Sequence, residues 1–182
     1  MGMTFEEKLK IGQEGESRVL KYIASVPGNV ILKACDLPPL KSGGGPRLST
    51  ADGETLVSPD GLILNKEGVL WVEVKNKTRF TWHRNSRCFC AGIDKLDIDR
   101  YREVKKQTGR DVVLCFLIRS SEPSANDASY PSCPKTSPTG LFSVEIDTPT
   151  HHTTTRYGLG GGMVYWSHNQ LDFIANLEDI PN

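Results

Sequence analysis

The chain has 182 residues, of which 37% are hydrophobic and 24% are charged, a composition typical of a folded domain and not of a disordered chain. Lysine plus arginine total 22, and aspartate plus glutamate also total 22, so the net charge gives no general attraction to nucleic acid or membrane. A net charge of zero is still compatible with a local basic groove. We find no signal-peptide core and no apolar run near the roughly 20 residues of a membrane-spanning helix. Five cysteines in such a chain predict reduced thiols, and we expect a cytoplasmic protein with no membrane partner.

The first predicted element is a helix from Thr4 to about Ser25. Thr4 is a suitable N-cap, and Glu7, three residues later, completes a capping-box pattern. A short strand is predicted at residues 30–32. A Pro- and Gly-rich stretch then fills residues 35–54, and loops of that length are usually functional or disordered.

One glutamate of this helix is predicted to face the core. Glu16 lies three residues before Val19 and seven before Ile23, so the three side chains share a face. A carboxylate there is costly unless another group pairs with it. Glu14 falls on the other side, where we expect a surface pair with Arg18. The alternative is a rotated helix in which Glu14 takes the inward place of Glu16.

Two strands are predicted next, from Leu56 to Leu64 and from Val69 to Lys75, joined by a turn-prone tetrapeptide at residues 65–68. Side chains two apart on a strand project from the same face, so Glu73 and Lys75 lie together. The valines that alternate with them form the buried side.

Asp60 is expected on the strand beside Glu73 and close enough to point toward it. Two neighbouring carboxylates would repel each other unless a cation lay between them. Oxygen ligands of this kind favour a hard divalent ion, Mg²⁺ or Mn²⁺. One alternative is that Glu73 and Lys75 are an ordinary surface pair. Asp52 or Glu54 could replace Asp60, but both lie in the loop before the strand.

An amphipathic helix is predicted at residues 94–108, with Leu96, Val104 and either Tyr101 or Ile98 facing inward. Gly109 ends it, and a buried strand, "DVVLCFLI", follows. Strand, crossover helix and strand indicate a βαβ-like unit and therefore an α/β or α+β fold.

The remainder of the chain is predicted to extend this core. A Pro/Ser-rich loop at residues 119–140 precedes a C-terminal extension at about 141–182, with a strand at "LFSVEI", a short strand and a terminal helix. We interpret residues 1–182 as a single domain whose core lies in about residues 1–120.

The spacing of Pro59-Asp60 and Glu73-Val74-Lys75, preceded by Glu16 in a "GQEGE" helix, resembles the PD-(D/E)XK nuclease superfamily. That superfamily includes restriction endonucleases, archaeal Holliday-junction resolvases and phage-type exonucleases. The resemblance covers about the first 120 residues, in the order helix, hairpin, EXK strand, helix, strand. It implies a restriction-endonuclease-like core with a central mixed β-sheet flanked by helices.

The resemblance also implies roles for these residues. Asp60 and Glu73 would bind Mg²⁺ or Mn²⁺ together with the backbone carbonyl of Val74. Glu16 would reach the metal through water or hold a second ion. Lys75 would orient or deprotonate the attacking water, and we favour orientation because the ordinary pKa of lysine is about 10.4. Such a metal activates water at neutral pH for phosphodiester hydrolysis.

The segment after the EXK strand, "KNKTRFTWHRNSR", is basic and contains no acidic residue. Basic residues interleaved with aromatic ones are typical of a nucleic-acid groove. We therefore predict DNA contacts from Lys77, Arg79, Trp82, Arg84 and Arg87. Lys77 is the best phosphate contact because it continues the face of Glu73 and Lys75. The alternative is a basic loop whose aromatic residues pack into the core.

The function predicted from these features is Mg²⁺-dependent hydrolysis of duplex or branched DNA by an endodeoxyribonuclease. Small size favours a resolvase-like or phage-encoded enzyme, for which we consider a homodimer. The alternatives are a phage-type exonuclease, an inactive DNA-binding module with a nuclease fold, and an α/β domain in which the motif is accidental.

The cysteines give no zinc signature in the sequence. Cys88 and Cys90, near His83, lack the usual C-x₂₋₄-C spacing and have no second pair nearby. His151 and His152 stand in a Thr-rich stretch and are predicted to lie in a loop.

Overall fold

The computed structural model describes residues 4–34, 46–154 and 161–182. Its helices are α1 (Phe5–Ser25), α2 (Lys95–Thr108) and the single-turn α3 (Ala125–Ala128). Its strands are β1 (Val30–Lys33), β2 (Arg47–Ser49), β3 (Thr55–Val57), β4 (Gly61–Asn65), β5 (Gly68–Lys77), β6 (Thr81–His83), β7 (Cys88–Asp94), β8 (Val112–Ile118), β9 (Gly140–Glu145), β10 (His152–Thr154), β11 (Met163–Ser167) and β12 (Asp172–Ala175). Two 3₁₀ turns cover His168–Gln170 and Leu177–Asp179.

The main sheet has six strands in the order β1-β4-β5-β8-β9-β12. Strands β5 and β8 are parallel, while the other neighbours are antiparallel, so the sheet is mixed. A parallel pair needs a crossover, and the chain between β5 and β8 supplies it with β6, β7 and α2. Strand β5 lies near the middle of the sheet, which holds its side chains in a fixed register.

A second sheet has the order β10-β11-β7-β6 and is antiparallel. Strands β2 and β3 form a separate hairpin. Most of the loop predicted at 35–54 lies outside the described residues, but its end contributes β2 to this hairpin.

Each face of the main sheet covers its own hydrophobic core. On one face, α1 packs through Val19, Leu20 and Ile23 against β4, β5 and β8. On the other, α2 and the second sheet pack around Phe116, Trp166 and their neighbours. Each fully buried aliphatic side chain contributes about 1.5–3 kcal/mol, so both layers hold β5 firmly.

A glycine lets α1 approach β5 closely. A Cβ atom added at Gly15 would overlap the side chain of Asn76 on β5. That side chain donates a 2.6 Å hydrogen bond from Nδ2 to the carbonyl of Ile11 on α1. The contact fixes the helix beside the strand, and Glu16, the next residue of the helix, is close enough to Asp60 for its charge to act on that carboxylate.

The local signals of the helices are confirmed. The Thr4 hydroxyl accepts from the Glu7 N–H at 3.2 Å, and the Glu7 carboxylate accepts from the Thr4 N–H at 2.7 Å, which completes the capping box. Gly109 ends α2 in the left-handed conformation, at φ 63°. Ile98 and Tyr101 are both buried on α2, whereas Leu96 is 45% exposed, so its predicted inward position is wrong.

The predicted surface pair between Glu14 and Arg18 is wrong. Arg18 donates instead to the carbonyls of Pro181, at 2.9 Å, and Ile180, at 3.2 Å, and so holds the C-terminal segment against α1. Glu14 pairs with Lys10, at 4.0 Å. Sequence proximity could not reveal the contact, because its two ends are 163 positions apart.

Two further expectations about elements are corrected. The single strand predicted from Leu56 to Leu64 is divided into β3 and β4, since Pro59 between them has no N–H for a sheet ladder. The predicted terminal helix is replaced by β12 and a 3₁₀ turn. Strands β9 and β12, from the region predicted as an extension, complete the main sheet. In the described ranges, no helix is both long enough and apolar enough to cross a membrane.

Candidate active site

The candidate active site is built on the face of β5 that looks toward α2. Glu73 is only 3% exposed. Its Oε1 atom accepts from the Tyr101 hydroxyl at 2.5 Å and lies 2.6 Å from Lys75 Nζ. Its other oxygen, Oε2, is buried and has no hydrogen-bond partner among the described residues. A buried carboxylate oxygen left without a donor is costly, so this atom is suited to a cation.

Asp60 directly precedes β4 and so lies just outside the strand on which it was expected. The antiparallel register places Gly61 opposite Val72, and Asp60 Oδ2 accepts from the Val74 N–H at 2.7 Å. This bond spans the two strands and uses one carboxylate oxygen of Asp60. The charge of Glu73 also acts on Asp60, so the two carboxylates are close enough to interact.

The carboxylates at this site interact electrostatically. Burial raises the pKa of Asp60 well above its ordinary value, and the negative charges of Glu73 and then Glu16 raise it further. The Val74 N–H and Lys75 act in the opposite direction. A divalent cation would neutralise this excess of negative charge, and carboxylate oxygens are its preferred ligands. The donor set therefore fits Mg²⁺ or Mn²⁺.

Helix α1 contributes Glu16 and not Glu14 to this group. Glu16 is half-buried, and its charge acts on Asp60. Glu14 is exposed and belongs to the surface pair with Lys10. The helix phase is the one that the apolar spacing predicted.

Lys75 is held in its charged form. Burial alone would lower the pKa of Lys75, but the charge and hydrogen bond of Glu73, followed by Asp97 and Asp60, raise it above the ordinary lysine value. Asp97 Oδ2 lies 3.6 Å from Lys75 Nζ. The ammonium group also lies 5.8 Å from the ring centre of Tyr101.

Asp97 and Tyr101 of α2 were not predicted as parts of this site. The sequence placed either Tyr101 or Ile98 on the inward face of the helix and gave Asp97 no role. A signal for Tyr101 was available, since a buried tyrosine usually needs a partner for its hydroxyl group. Glu73 provides that partner.

Lys77 lies on the same face of β5 as Glu73 and Lys75, as predicted. Burial lowers the pKa of Lys77, and the nearby charge of Lys75 lowers it further, against the opposite effect of Asp94 and Asp97. Its half-buried side chain is close enough to Asp94 and Asp97, at the N-terminus of α2, for their charges to act on it.

The other residues of the predicted basic segment lie in different environments. Arg79 donates to the backbone carbonyls of Glu122, at 2.8 Å, and Pro123, at 2.7 Å, which gives it a structural contact. Arg84 and Arg87 are exposed in the turn between β6 and β7.

Trp82 does not offer a free face for base stacking in this structure. It is 8% exposed and packs in the hydrophobic core, with its ring centre 4.9 Å from that of Phe89. The predicted stacking role is therefore corrected, and the alternative, in which the aromatic residues of the segment pack inward, describes both Trp82 and Phe80. Alternation along β6 turns Trp82 inward between two outward neighbours.

The fold that carries these residues is a mixed α+β fold with a central mixed sheet and few helices. Among solved structures it is similar to Hjc, a Holliday junction resolvase from the archaeal hyperthermophile Archaeoglobus fulgidus, with a TM-score of 0.50. The match covers 87% of this chain and 89% of that chain at 8% sequence identity, so it establishes the fold alone. No family model and no curated protein matches the sequence. The predicted fold class is confirmed.

Proposed function

We propose that this protein is a divalent-metal-dependent nuclease that hydrolyses DNA phosphodiester bonds as an endonuclease. The main support is the buried carboxylate of Glu73, one oxygen of which has no donor among the described residues, next to Asp60, on which the charges of Glu73 and Glu16 act. An ordinary surface pair of Glu73 and Lys75 would not bury the glutamate to 3% exposure. The fold shared with a Holliday junction resolvase supports DNA, including branched DNA, as the substrate.

Mg²⁺ or Mn²⁺ would be held by Asp60 and Glu73, with the backbone carbonyl of Val74 as a further ligand. Glu16 would bind a metal-bound water or a second ion. When bound, such a cation polarises a phosphoryl oxygen and lowers the pKa of water.

The protein groups around this site keep its ligands in position. Tyr101 donates to one oxygen of Glu73 and leaves the other for the cation. Lys75 carries a positive charge because its pKa is raised, even though burial opposes that shift. It therefore acts by positioning water and stabilising the negative charge of the transition state, and not as a general base.

The DNA would approach the face that holds Lys77 and the exposed turn with Arg84 and Arg87. Such cations bind phosphate oxygens without reading the base sequence, which suits recognition of DNA by its shape. A branched substrate has two related halves, and we include a homodimer in the proposal for that reason.

The test is cleavage of three labelled substrates, a four-way junction, a linear duplex and a closed single-stranded circle. Each is incubated with Mg²⁺, with Mn²⁺ and with EDTA. We expect metal-dependent cutting, and cutting of the circle or of internal junction sites identifies an endonuclease. Release of nucleotides from linear ends alone would instead favour the exonuclease.

A double variant, Asp60→Asn with Glu73→Gln, is the negative control, and Asp172→Asn on the exposed part of β12 is the matched control. The double variant should lose cleavage but keep DNA binding. Retained cleavage in the double variant, or no metal-dependent cleavage by the unmodified protein, would contradict the proposal. DNA binding without cleavage would favour the inactive binding module.

A further inference from the structure

Three side chains with metal-ligand chemistry converge in the second sheet, outside the candidate active site. Cys88 Sγ lies 3.5 Å from Cys90 Sγ and 3.3 Å from His151 Nε2. The three ligand atoms all lie within 4.8 Å of one another. Cys90 is buried, Cys88 is half-buried and His151 is exposed, so the group is enclosed on one side and accessible on the other.

The backbone explains how these residues meet. Cys88 and Cys90 are two apart on β7 and therefore project from the same face, although their Cα atoms are about 6.6 Å apart in an extended strand. Their sulfur atoms have turned toward each other. His151 is 63 positions from Cys88 in sequence. The backbone N–H of His151 donates to the carbonyl of Tyr165 on β11 at 2.8 Å, and β11 is the neighbour of β7.

We propose that Cys88, Cys90 and His151 bind a zinc ion. Two thiolates and an imidazole are typical zinc ligands and favour tetrahedral geometry. With Zn–S near 2.3 Å and Zn–N near 2.0–2.1 Å, a tetrahedron separates two sulfurs by about 3.8 Å and a sulfur from a nitrogen by about 3.6 Å. Two of the three observed separations, 3.5 and 3.3 Å, are within a few tenths of an ångström of those values, and the third lies within 4.8 Å. Binding exchanges two thiol protons for the cation and involves no oxidation.

The fourth position of the tetrahedron is assigned to water. The Ser86 hydroxyl lies 2.8 Å from His151 Nε2 and 3.3 Å from Cys88 Sγ, so it borders the same space. It also contacts His83 Nδ1 at 2.6 Å. Zinc would replace Ser86 as the partner of the His151 nitrogen. Ser86 and His83 would then lie beside the water at the fourth position.

A zinc ion here would connect distant parts of the chain. Cys88 begins β7 directly after the turn that carries Arg84 and Arg87, and His151 directly precedes β10. The ion would join the β6–β7 hairpin to the segment before β10. Cys88 and Asp94 are six residues apart along β7, or about 20 Å, so this site is separate from the carboxylates near α2.

The first experiment measures metal content. Untagged protein is purified under reducing conditions, dialysed against metal-free buffer and assayed by plasma mass spectrometry. We expect one zinc ion per chain, and nearly none in Cys88→Ser or Cys90→Ser. The control is Cys133→Ser, which removes a half-buried thiol outside the cluster and should retain the ion.

The second experiment identifies the ligands. Co²⁺ added to zinc-free protein should give the intense visible bands of a tetrahedral site and a near-ultraviolet thiolate-to-cobalt band. His151→Ala should weaken Co²⁺ binding at least tenfold, whereas His152→Ala, one position away, should not. The two histidine variants still test the zinc site if the cysteine variants fail to fold.

Three results would overturn the zinc site. These are an unmodified protein that binds neither zinc nor cobalt, a metal content unaffected by both cysteine variants, and a Cys88–Cys90 disulfide that persists under reducing purification. Asp60→Asn should keep its zinc, so the zinc site and the nuclease proposal are tested independently.

Discussion

The hydroxyl of Tyr101 donates a 2.5 Å hydrogen bond to Oε1 of Glu73, and this bond joins α2 to the central strand β5. Lys75 approaches the same oxygen at 2.6 Å. Two donors on one oxygen fix the orientation of the carboxylate and direct the other oxygen to the position proposed for the cation.

Tyr101→Phe should therefore impair the metal site without removing any ligand. We expect a higher Mg²⁺ concentration for half-maximal cleavage and about a tenfold loss of cleavage at limiting Mg²⁺. The lost hydrogen bond to a charged group should also cost about 1.5–3 kcal/mol of stability. Cleavage rates across an Mg²⁺ series test the prediction, with Tyr22→Phe on α1 as the control. An unchanged Mg²⁺ dependence would mean that Tyr101 is only a core residue.

Asp60 gives a prediction about stability and pH. Burial, followed by the charges of Glu73 and Glu16, raises the pKa of Asp60 above its ordinary value of 3.8. The folded protein then binds this proton more tightly than the unfolded chain does. Without metal, the free energy of unfolding should fall as pH rises from about 4 to the folded-state pKa of Asp60. Above that pKa, Asp60 should cause no further change.

Asp60→Asn should remove that dependence. In EDTA at neutral pH the variant should melt at a higher temperature than the unmodified protein, and Mg²⁺ should stabilise only the unmodified protein. Thermal melts from pH 4 to pH 8, with and without Mg²⁺, measure both effects. Asp172→Asn should follow the unmodified protein, and a lower melting temperature for Asp60→Asn in EDTA would show that its bond to Val74 matters more than the repulsion.

The sequence predicted the parts of the site that depend on local pattern. The apolar spacing of α1 placed Glu16, the alternation of β5 placed Glu73 and Lys75 on one face, and Asp60 followed from the hairpin. Asp97 and Tyr101 were missed because their positions depend on how α2 packs against β5.

Long-range contacts explain the other differences from the sequence predictions. Arg18 contacts Pro181, and His151 meets Cys88, across separations that no local pattern encodes. The usual zinc spacing describes ligands on a tight turn, whereas Cys88 and Cys90 are on a strand. Trp82 is of a residue type that stacks on bases, but it is buried because it packs against Phe89 on the partner strand β7.

We expect the arginines of the basic segment to have two different roles, one structural and one in DNA binding. Arg84→Ala together with Arg87→Ala should weaken DNA binding and reduce the slope of log K against log salt by as much as about 0.9 for each lost phosphate contact. Arg79→Ala should act mainly on stability, because its guanidinium group holds the carbonyls of Glu122 and Pro123. Binding titrations at several salt concentrations, paired with thermal melts, test this division. If Arg79→Ala weakened DNA binding and the double variant did not, Arg79 would be a DNA contact.

Gly15 and Gly12 form a matched pair on α1. A Cβ at Gly15 would overlap Asn76, whereas a Cβ at Gly12 would have no described atom within 4 Å apart from its chain neighbours and the backbone of its own helix. Gly15→Ala should cost about 1–3 kcal/mol of unfolding free energy by overpacking. Gly12→Ala should gain as much as about 1 kcal/mol, because alanine favours a helix. Urea denaturation measures both, and equal effects would mean that α1 shifts freely on β5.

Glu16 and Glu14 test whether α1 takes part in catalysis. Glu16 is half-buried and its charge acts on Asp60, while Glu14 is exposed beside Lys10. Glu16→Gln should lower the cleavage rate at saturating Mg²⁺ by tenfold or more, a loss of at least about 1.4 kcal/mol of transition-state stabilisation. Glu14→Gln should leave the rate unchanged, since an exposed ion pair contributes little. Single-turnover cleavage by the two variants, compared at equal folded fraction, measures the difference. A normal rate for Glu16→Gln would restrict the metal site to Asp60, Glu73 and the Val74 carbonyl, with α1 serving only to cover the sheet.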